Sequence, residues 1–231
     1  MELTNNDLSY VVRRLPRDVR DLLMKHQGQL FVGGGFIRAT ITGETPNDVD
    51  LFGVSVELLN QAAGELAASR GDTKTHRTKN AITLLTRDRL PIQFITRWLF
   101  SDMHALVGSF DFTVCQAAIG ARTGQFYSEA SDAFYVDLAA RRLVYTSPRR
   151  DEEAGGSLMR VLKYVKRGYS IQANSFGAVI ARLAIKLRDS HLTESEEGTA
   201  RVLTGLLREV DPLSVVDGLD IVEDEETAHV A

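Results

Sequence analysis

The sequence predicts an α/β (α+β) fold: a head built on a small mixed sheet, followed by a C-terminal helical region. Three observations carry this expectation. A short apolar run at residues 29–32 closes on Gly33, Gly34 and Gly35 and leads into a helix-compatible stretch at 36–42. Residues 47–53, NDVDLFG, alternate with the two-residue period of a strand. From about Glu129 onward, helical spacing of apolar side chains dominates.

The remaining elements follow in order. Leu8, Val11, Val12 and Leu15 have the spacing of a first helix, and Pro16 fits the first turn of a second that carries Val19, Leu22 and Leu23. Residues 56–69 read as another amphipathic helix. Between Ala81 and Phe100, β-branched and aromatic residues predict two strands joined near Arg87-Asp88-Arg89, with Pro91 at or near the start of the second. A turn at Thr146, Ser147 and Pro148 divides a head at 1–147 from a helical domain at 148–210, and 211–231 form an acidic tail.

Composition narrows the function classes. A chain of 231 residues can bury roughly 70–75% of its unfolded surface. With 44% hydrophobic and 25% charged residues, it is neither collagen-like, mucin-like nor disordered. The single cysteine, Cys115, excludes an internal disulfide framework and a multi-cysteine metal site, and its apolar surroundings predict an inert core residue. No apolar run approaches the ~18 residues of a membrane span, and the N-terminus lacks a signal pattern, so the expected location is the cytoplasm. The five histidines are scattered without ligand spacing. The net charge of -4 is an average of unlike parts: seven acids and no Lys or Arg fall within 211–231, leaving residues 1–210 at about +3. The bases are densest at 141–167, where Arg160, Lys163 and Arg167 recur on one helix face. Such a face suits a triphosphate or a nucleic-acid backbone, and equally a solvated surface.

The chemistry concentrates near the glycines. Successive glycines before a helix let backbone N–H groups approach an anion where the helix dipole favours phosphate, although a glycine corner also serves as a simple strand-to-helix turn. Asp48 and Asp50 would project side by side from a strand while Val49 and Leu51 face the core. Two adjacent carboxylates repel unless a cation neutralises them, and hard oxygen ligands suit Mg²⁺ carrying a nucleoside triphosphate.

Together, FVGGGFIRATITGETPNDVDLFG resembles the signature of the polymerase-β nucleotidyltransferase superfamily, with thirteen residues between Gly34 and Asp48. It is similar to the first motif of the tRNA CCA-adding enzymes and bacterial poly(A) polymerases, G-G-x-V-R-D followed by D-I-D-L. Arg38 matches the arginine, and Ala39 replaces the aspartate after it. Residues 109–119, SFDFTVCQAAI, resemble R-R-D-F-T-I-N-A of those enzymes, with Asp111, Phe112, Thr113 and Val114 aligned. Ser109 and Phe110 stand where that motif has arginines, and Cys115 replaces its asparagine. Residues 157–169, SLMRVLKYVKRGY, resemble the following helix, D-P-L-R-I-L-R, with Arg160 and Lys163 on its basic positions. FDFTVCQ with LKYVKRGY resembles more closely still the nucleotidyltransferase-like proteins of tailed bacteriophages, which implies the host cytoplasm.

The resemblance implies that Asp48 and Asp50 are catalytic and hold Mg²⁺ or Mn²⁺. It implies that Gly33, Gly34, Arg38, Asp111, Arg160 and Lys163 contact an NTP, and that a nucleoside monophosphate passes to an acceptor hydroxyl with loss of pyrophosphate. By analogy the acceptor is an RNA 3′ end, with a nucleotide or a protein hydroxyl as alternatives. Gln93 stands where the pattern has a third carboxylate, with Asp111 or Asp88 as conceivable substitutes. Gln93 and the missing arginines leave a second reading open, a weak or inactive nucleotide- or RNA-binding or interaction module of the same fold.

Overall fold

The Thr4 hydroxyl accepts the Asp7 N–H and so satisfies a first-turn donor of helix α1 (Asn5–Arg14). The computed structural model describes residues 1–146, 154–188 and 195–208. Helix α2 (Arg17–Lys25) follows Pro16 and, with α1, turns Val11, Val19, Leu22 and Leu23 inward. Strand β1 (Leu30–Gly33) ends at the glycine turn from which α3 (Gly35–Thr42) starts, and Gly43 closes α3 at φ 73°. Strand β2 (Val49–Gly53) leads to α4 (Val56–Arg70), capped by Ser55. Then come β3 (Thr73–Arg77), β4 (Ala81–Thr86), β5 (Ile92–Ile95) and α5 (Met103–Ser109). A 3-10 turn at Thr113–Cys115 precedes β6 (Ala117–Arg122), β7 (Gln125–Ala130), α6 (Phe134–Ala139) and β8 (Arg142–Leu143). Further along lie α7 (Ala154–Lys166), β9 (Ser170–Ile171), α8 (Ala173–Arg188) and α9 (Glu196–Arg208).

Seven strands form one sheet in the order β3-β4-β5-β2-β1-β6-β7. Every neighbouring pair is antiparallel except β2 and β5, so the sheet is mixed, as expected. β8 and β9 form a separate parallel pair. Among the described residues the chain divides into two units, one of 1–146 with Tyr169–Ser175, the other of 154–168 with 176–188 and 195–208. No helix of the described residues is long and apolar enough to cross a membrane.

The strand period sorts side chains onto two faces of the large sheet. Leu30, Val32, Val49, Leu51, Ile92 and Phe94 are fully buried on the face packed by α4. Phe31, Phe52 and Ala118 lie on the opposite face, in a cluster with Phe100 and with Met103, Leu106 and Val107 of α5.

Five strands, β3 and β6 to β9, fall outside the sequence expectations. β3 reads TKTHR and has no apolar alternation; it is held as an edge strand by the β4 ladder and by a 2.9 Å hydroxyl contact between Thr73 and Thr86. β6 and β7 form a hairpin on Thr123 (φ 50°) and Gly124 (φ 77°), two successive left-handed residues as a type I′ turn requires. The helical dominance expected from Glu129 is interrupted by the end of β7, by β8 and by β9. The Ser147-Pro148 turn and the acidic tail lie outside the described residues.

Helices α2 and α4 are joined through Glu65, which accepts from Lys25 Nζ at 2.8 Å and Gln61 Nε2 at 3.0 Å and lies 3.2 Å from His26 Nε2. The Lys25 bond, then that of Gln61, holds the Glu65 carboxyl at about 2, against an ordinary 4.5. A lowered carboxylate contributes stability above its unfolded value, and the contribution fades as pH falls toward the folded value. Glu65→Gln should therefore lower the urea midpoint at neutral pH and flatten its acid dependence between pH 4.5 and about 2. A variant as acid-sensitive as the parent across that window would remove Glu65 from the account.

Candidate active site

Gly33 on β1 lies directly opposite Asp50 on β2, and Asp50 lies opposite Gln93 on β5. Registered neighbours point to the same face, so the three form one row on the α5 face of the sheet. Val49 and Leu51 are fully buried on the other face, whereas Asp50 is half-buried. Asp48, also half-buried, directly precedes the strand. The Val49 N–H donates to the Pro91 carbonyl at 3.0 Å, pinning the entrance of β2 beside that of β5.

Gln93 is 3% exposed on a central strand, with Thr83 opposite on β4, so it is not an ordinary edge-strand polar residue. Asp88 sits at φ 57° in the β4–β5 turn, beside Arg87, and Asp111 is buried after Phe110. Among the described residues no group of three or more Asp, Glu, His or Cys is placed to hold a metal ion. The set at the row is therefore two carboxylates and a neutral amide. It suits Mg²⁺, which takes one or two carboxylates and leaves its other positions to water and phosphate oxygens.

The glycine turn has two distinct jobs. Gly34 adopts φ 74° and ψ −129°, a region that glycine alone adopts readily, and its N–H donates to the Ala117 carbonyl at 3.1 Å. The first-turn donors of α3 that can meet an anion thus begin at Gly35. Gly33 is required for a different reason: a Cβ there would stand 2.8 Å from Cζ of Phe110, whose ring also lies 3.1 Å from a Cβ built on Gly34. The aromatic ring rests on the turn.

Arg38, which the motif presents as a phosphate-reaching fork, is 1% exposed. Its Nη1 donates to Glu44 at 2.6 Å and to the Tyr169 hydroxyl at 3.1 Å, and its guanidinium lies 5.4 Å from the centre of that ring. Burial raises the Tyr169 phenol above its ordinary value, and the Arg38 bond opposes the rise. Glu44 belongs to the loop that leads to Asp48, so this ion pair anchors the approach to the first carboxylate.

The segment carrying Phe110 and Asp111 is also tied down. The Phe110 carbonyl accepts from Gln116 Nε2 at 3.0 Å and Thr146 Oγ1 at 2.9 Å, and the Asp111 carbonyl accepts the Thr146 N–H at 2.9 Å. Thr113 donates to buried Asp137 at 2.6 Å, and Arg142 Nε donates to the same carboxylate at 2.9 Å. Cys115 is buried, as expected. Tyr164 and Tyr169 are both buried and belong to packing. Arg160 and Lys163 lie on α7 in the second unit, both partly exposed. Sequence reasoning missed the Phe110 contact and the Arg38–Glu44 pair; an apolar residue at a motif arginine and an acid six residues after Arg38 were the available signals.

Because Gly33 has no positive φ, only the Phe110 ring opposes a side chain there. Gly33→Ala should cost about 1–3 kcal/mol of stability, and Phe110→Ala in the same chain should relieve most of it. Gly34→Ala should be strained in either background, because its backbone disfavours a Cβ. A strictly additive Gly33–Phe110 cycle would show that the ring is not the obstacle.

The model of the Gabija anti-defense 2 family matches residues 2–141. Gabija anti-defense 2 of Bacillus phage SPbetaL7 is 29% identical over 154 residues, covering 67% of this chain and 37% of that protein. The chain thus spans well under half the length of that relative. Among solved structures, the Thermotoga maritima CCA-adding enzyme complexed with tRNA_CCA aligns at a TM-score of 0.54 and 16% identity, covering 86% of this chain and 53% of that one. A complex of CCA-adding enzyme with CTP aligns at 0.54 and 18% identity, covering 90% and 52%. These likenesses show the fold alone: the chain shares it with the matched parts of the CCA-adding enzymes. By its family match, the chain is a member of the Gabija anti-defense 2 family.

Proposed function

We propose that this chain is a Mg²⁺-dependent nucleotidyltransferase, and that nucleotidyl transfer is how it acts against Gabija defence in the host cytoplasm. The observation that carries the reading is the row of Gly33, Asp50 and Gln93, with Asp48 at its entrance and the start of α3 beside it. Asp48 and Asp50 would hold the cation, Mg²⁺ or Mn²⁺. Bound there, the ion would neutralise the triphosphate and raise the acidity of the acceptor hydroxyl. First-turn N–H groups of α3, from Gly35 on, would hold phosphate oxygens at the positive end of the helix dipole. Gln93 would orient a water or a hydroxyl through its amide without adding charge. Arg38 would keep the loop before Asp48 in place through Glu44. Arg160 and Lys163 on α7 give the second unit a basic face of its own that would suit a polyanion. An RNA 3′ hydroxyl is the acceptor we favour, since a CCA-adding enzyme of this fold is complexed with tRNA_CCA.

Gln93 in place of a third carboxylate, and Phe110 over the glycine turn, favour the second reading, a binding module without transfer. Incubation with each labelled NTP, Mg²⁺ or Mn²⁺ and total RNA separates the two. Transfer should occur, and Asp48→Asn with Asp50→Asn should reduce it by at least about a hundredfold together with protection of phage from Gabija. Transfer that survives the double substitution would refute the assignment. NTP or RNA binding without transfer under any condition would favour the binding module. Gln93→Glu adds the missing charge and should tighten Mn²⁺ binding; unchanged affinity would place residue 93 outside the cation's reach.

A further inference from the structure

Phe110 occupies a position that the two-carboxylate reading does not use. It is partly exposed, although its ring touches the glycine turn and meets Phe52 edge-on, with centroids 5.7 Å apart at 85°. Its backbone carbonyl is held from two sides, by Gln116 and by Thr146. The backbone that carries the ring is therefore anchored, and the ring packs against the glycine turn and Phe52. Gly33, on which it rests, is directly opposite Asp50, and Phe52 lies two residues beyond Asp50 on the same face. A partly exposed, uncharged aromatic ring thus borders a site whose other groups are two carboxylates and the anion-favouring end of a helix.

We propose that Phe110 is a specificity-determining residue, a stacking platform for a nucleobase held at the Asp48–Asp50 site. The inference rests on the nucleotidyltransferase reading and adds to it how the base is met. A flat ring presents no donor or acceptor, so it favours bases by stacking area and does not read their edges. Purines should therefore bind more tightly than pyrimidines, with little discrimination between adenine and guanine. The base comes either from the incoming NTP or from the terminal nucleotide of an RNA acceptor, and the two sources use the same chemistry.

The test compares the full chain with its Phe110→Leu and Phe110→Tyr variants. Leucine keeps apolar contact with the glycine turn but has no π-face, and tyrosine keeps the face. Equilibrium binding of ATP, CTP, inorganic tripolyphosphate and a short single-stranded RNA would be measured with Mg²⁺ present, with thermal unfolding as a check on folding. Phe110→Leu should weaken binding of ATP, of the RNA or of both by about 5- to 150-fold, and of CTP less. It should leave tripolyphosphate affinity unchanged, and Phe110→Tyr should restore binding. Loss on ATP alone assigns the platform to the NTP, and loss on RNA alone assigns it to the acceptor. Equal weakening of tripolyphosphate and ATP, or no change on any ligand, overturns the platform while leaving the carboxylate site standing. Failure of the unaltered chain to bind any of the four overturns both readings.

Discussion

A slip of one residue between β1 and β2 would turn Asp50 toward α4 and bring Leu51 or Val49 out to the site, because side chains alternate faces along a strand. The candidate site therefore depends on register. Register is held by what lies on the two faces: fully buried Val49 and Leu51 on one side, Phe52 packed with Phe31 and the α5 side chains on the other. The parallel β2–β5 pair, the only parallel contact in the large sheet, then carries Gln93 beside Asp50. Two polar residues stand next to each other inside an apolar sheet because the core around them leaves no other alignment.

The elements around this row act as supports. Buried Arg38 would be costly without its ion pair, and the bond to Glu44 converts that burial into an anchor for the loop before Asp48. Asp137 does the same for the turn after Asp111, through Thr113 and Arg142. Phe110 extends the α5 cover onto the glycine turn, so Gly33 serves packing as well as any approach of a phosphate. The net charge of -4 says little about this region, since the acids of residues 211–231 set its sign.

Much of this was legible in the sequence where local and global signals agree. The apolar run ending in glycines, the Asp-Val-Asp alternation and the amphipathic α4 each follow one period and one kind of turn residue. The β4–β5 hairpin was visible through its β-branched residues and Pro91. β3 was not, because an edge strand such as TKTHR is specified by its neighbour's free backbone groups and carries no pattern of its own. The β6–β7 hairpin was hidden by the Ala- and Gly-rich β6, although Thr123-Gly124 marked its turn. For Arg38 the motif fixed residue type, while its partner Glu44 was fixed by tertiary structure. The replacement of a motif arginine by Phe110 was readable; the contact the ring makes with Gly33 required the fold.

In the proposed function, Asp48 and Asp50 would hold a divalent cation together with a nucleoside triphosphate. The most direct measurement is a Mn²⁺ titration followed by electron paramagnetic resonance, with a non-hydrolysable NTP analogue present, on the unaltered chain and on Asp50→Asn. The unaltered chain should immobilise the Mn²⁺–nucleotide complex, and Asp50→Asn should leave it tumbling as it does free in solution. Equal immobilisation by the two proteins would contradict that assignment.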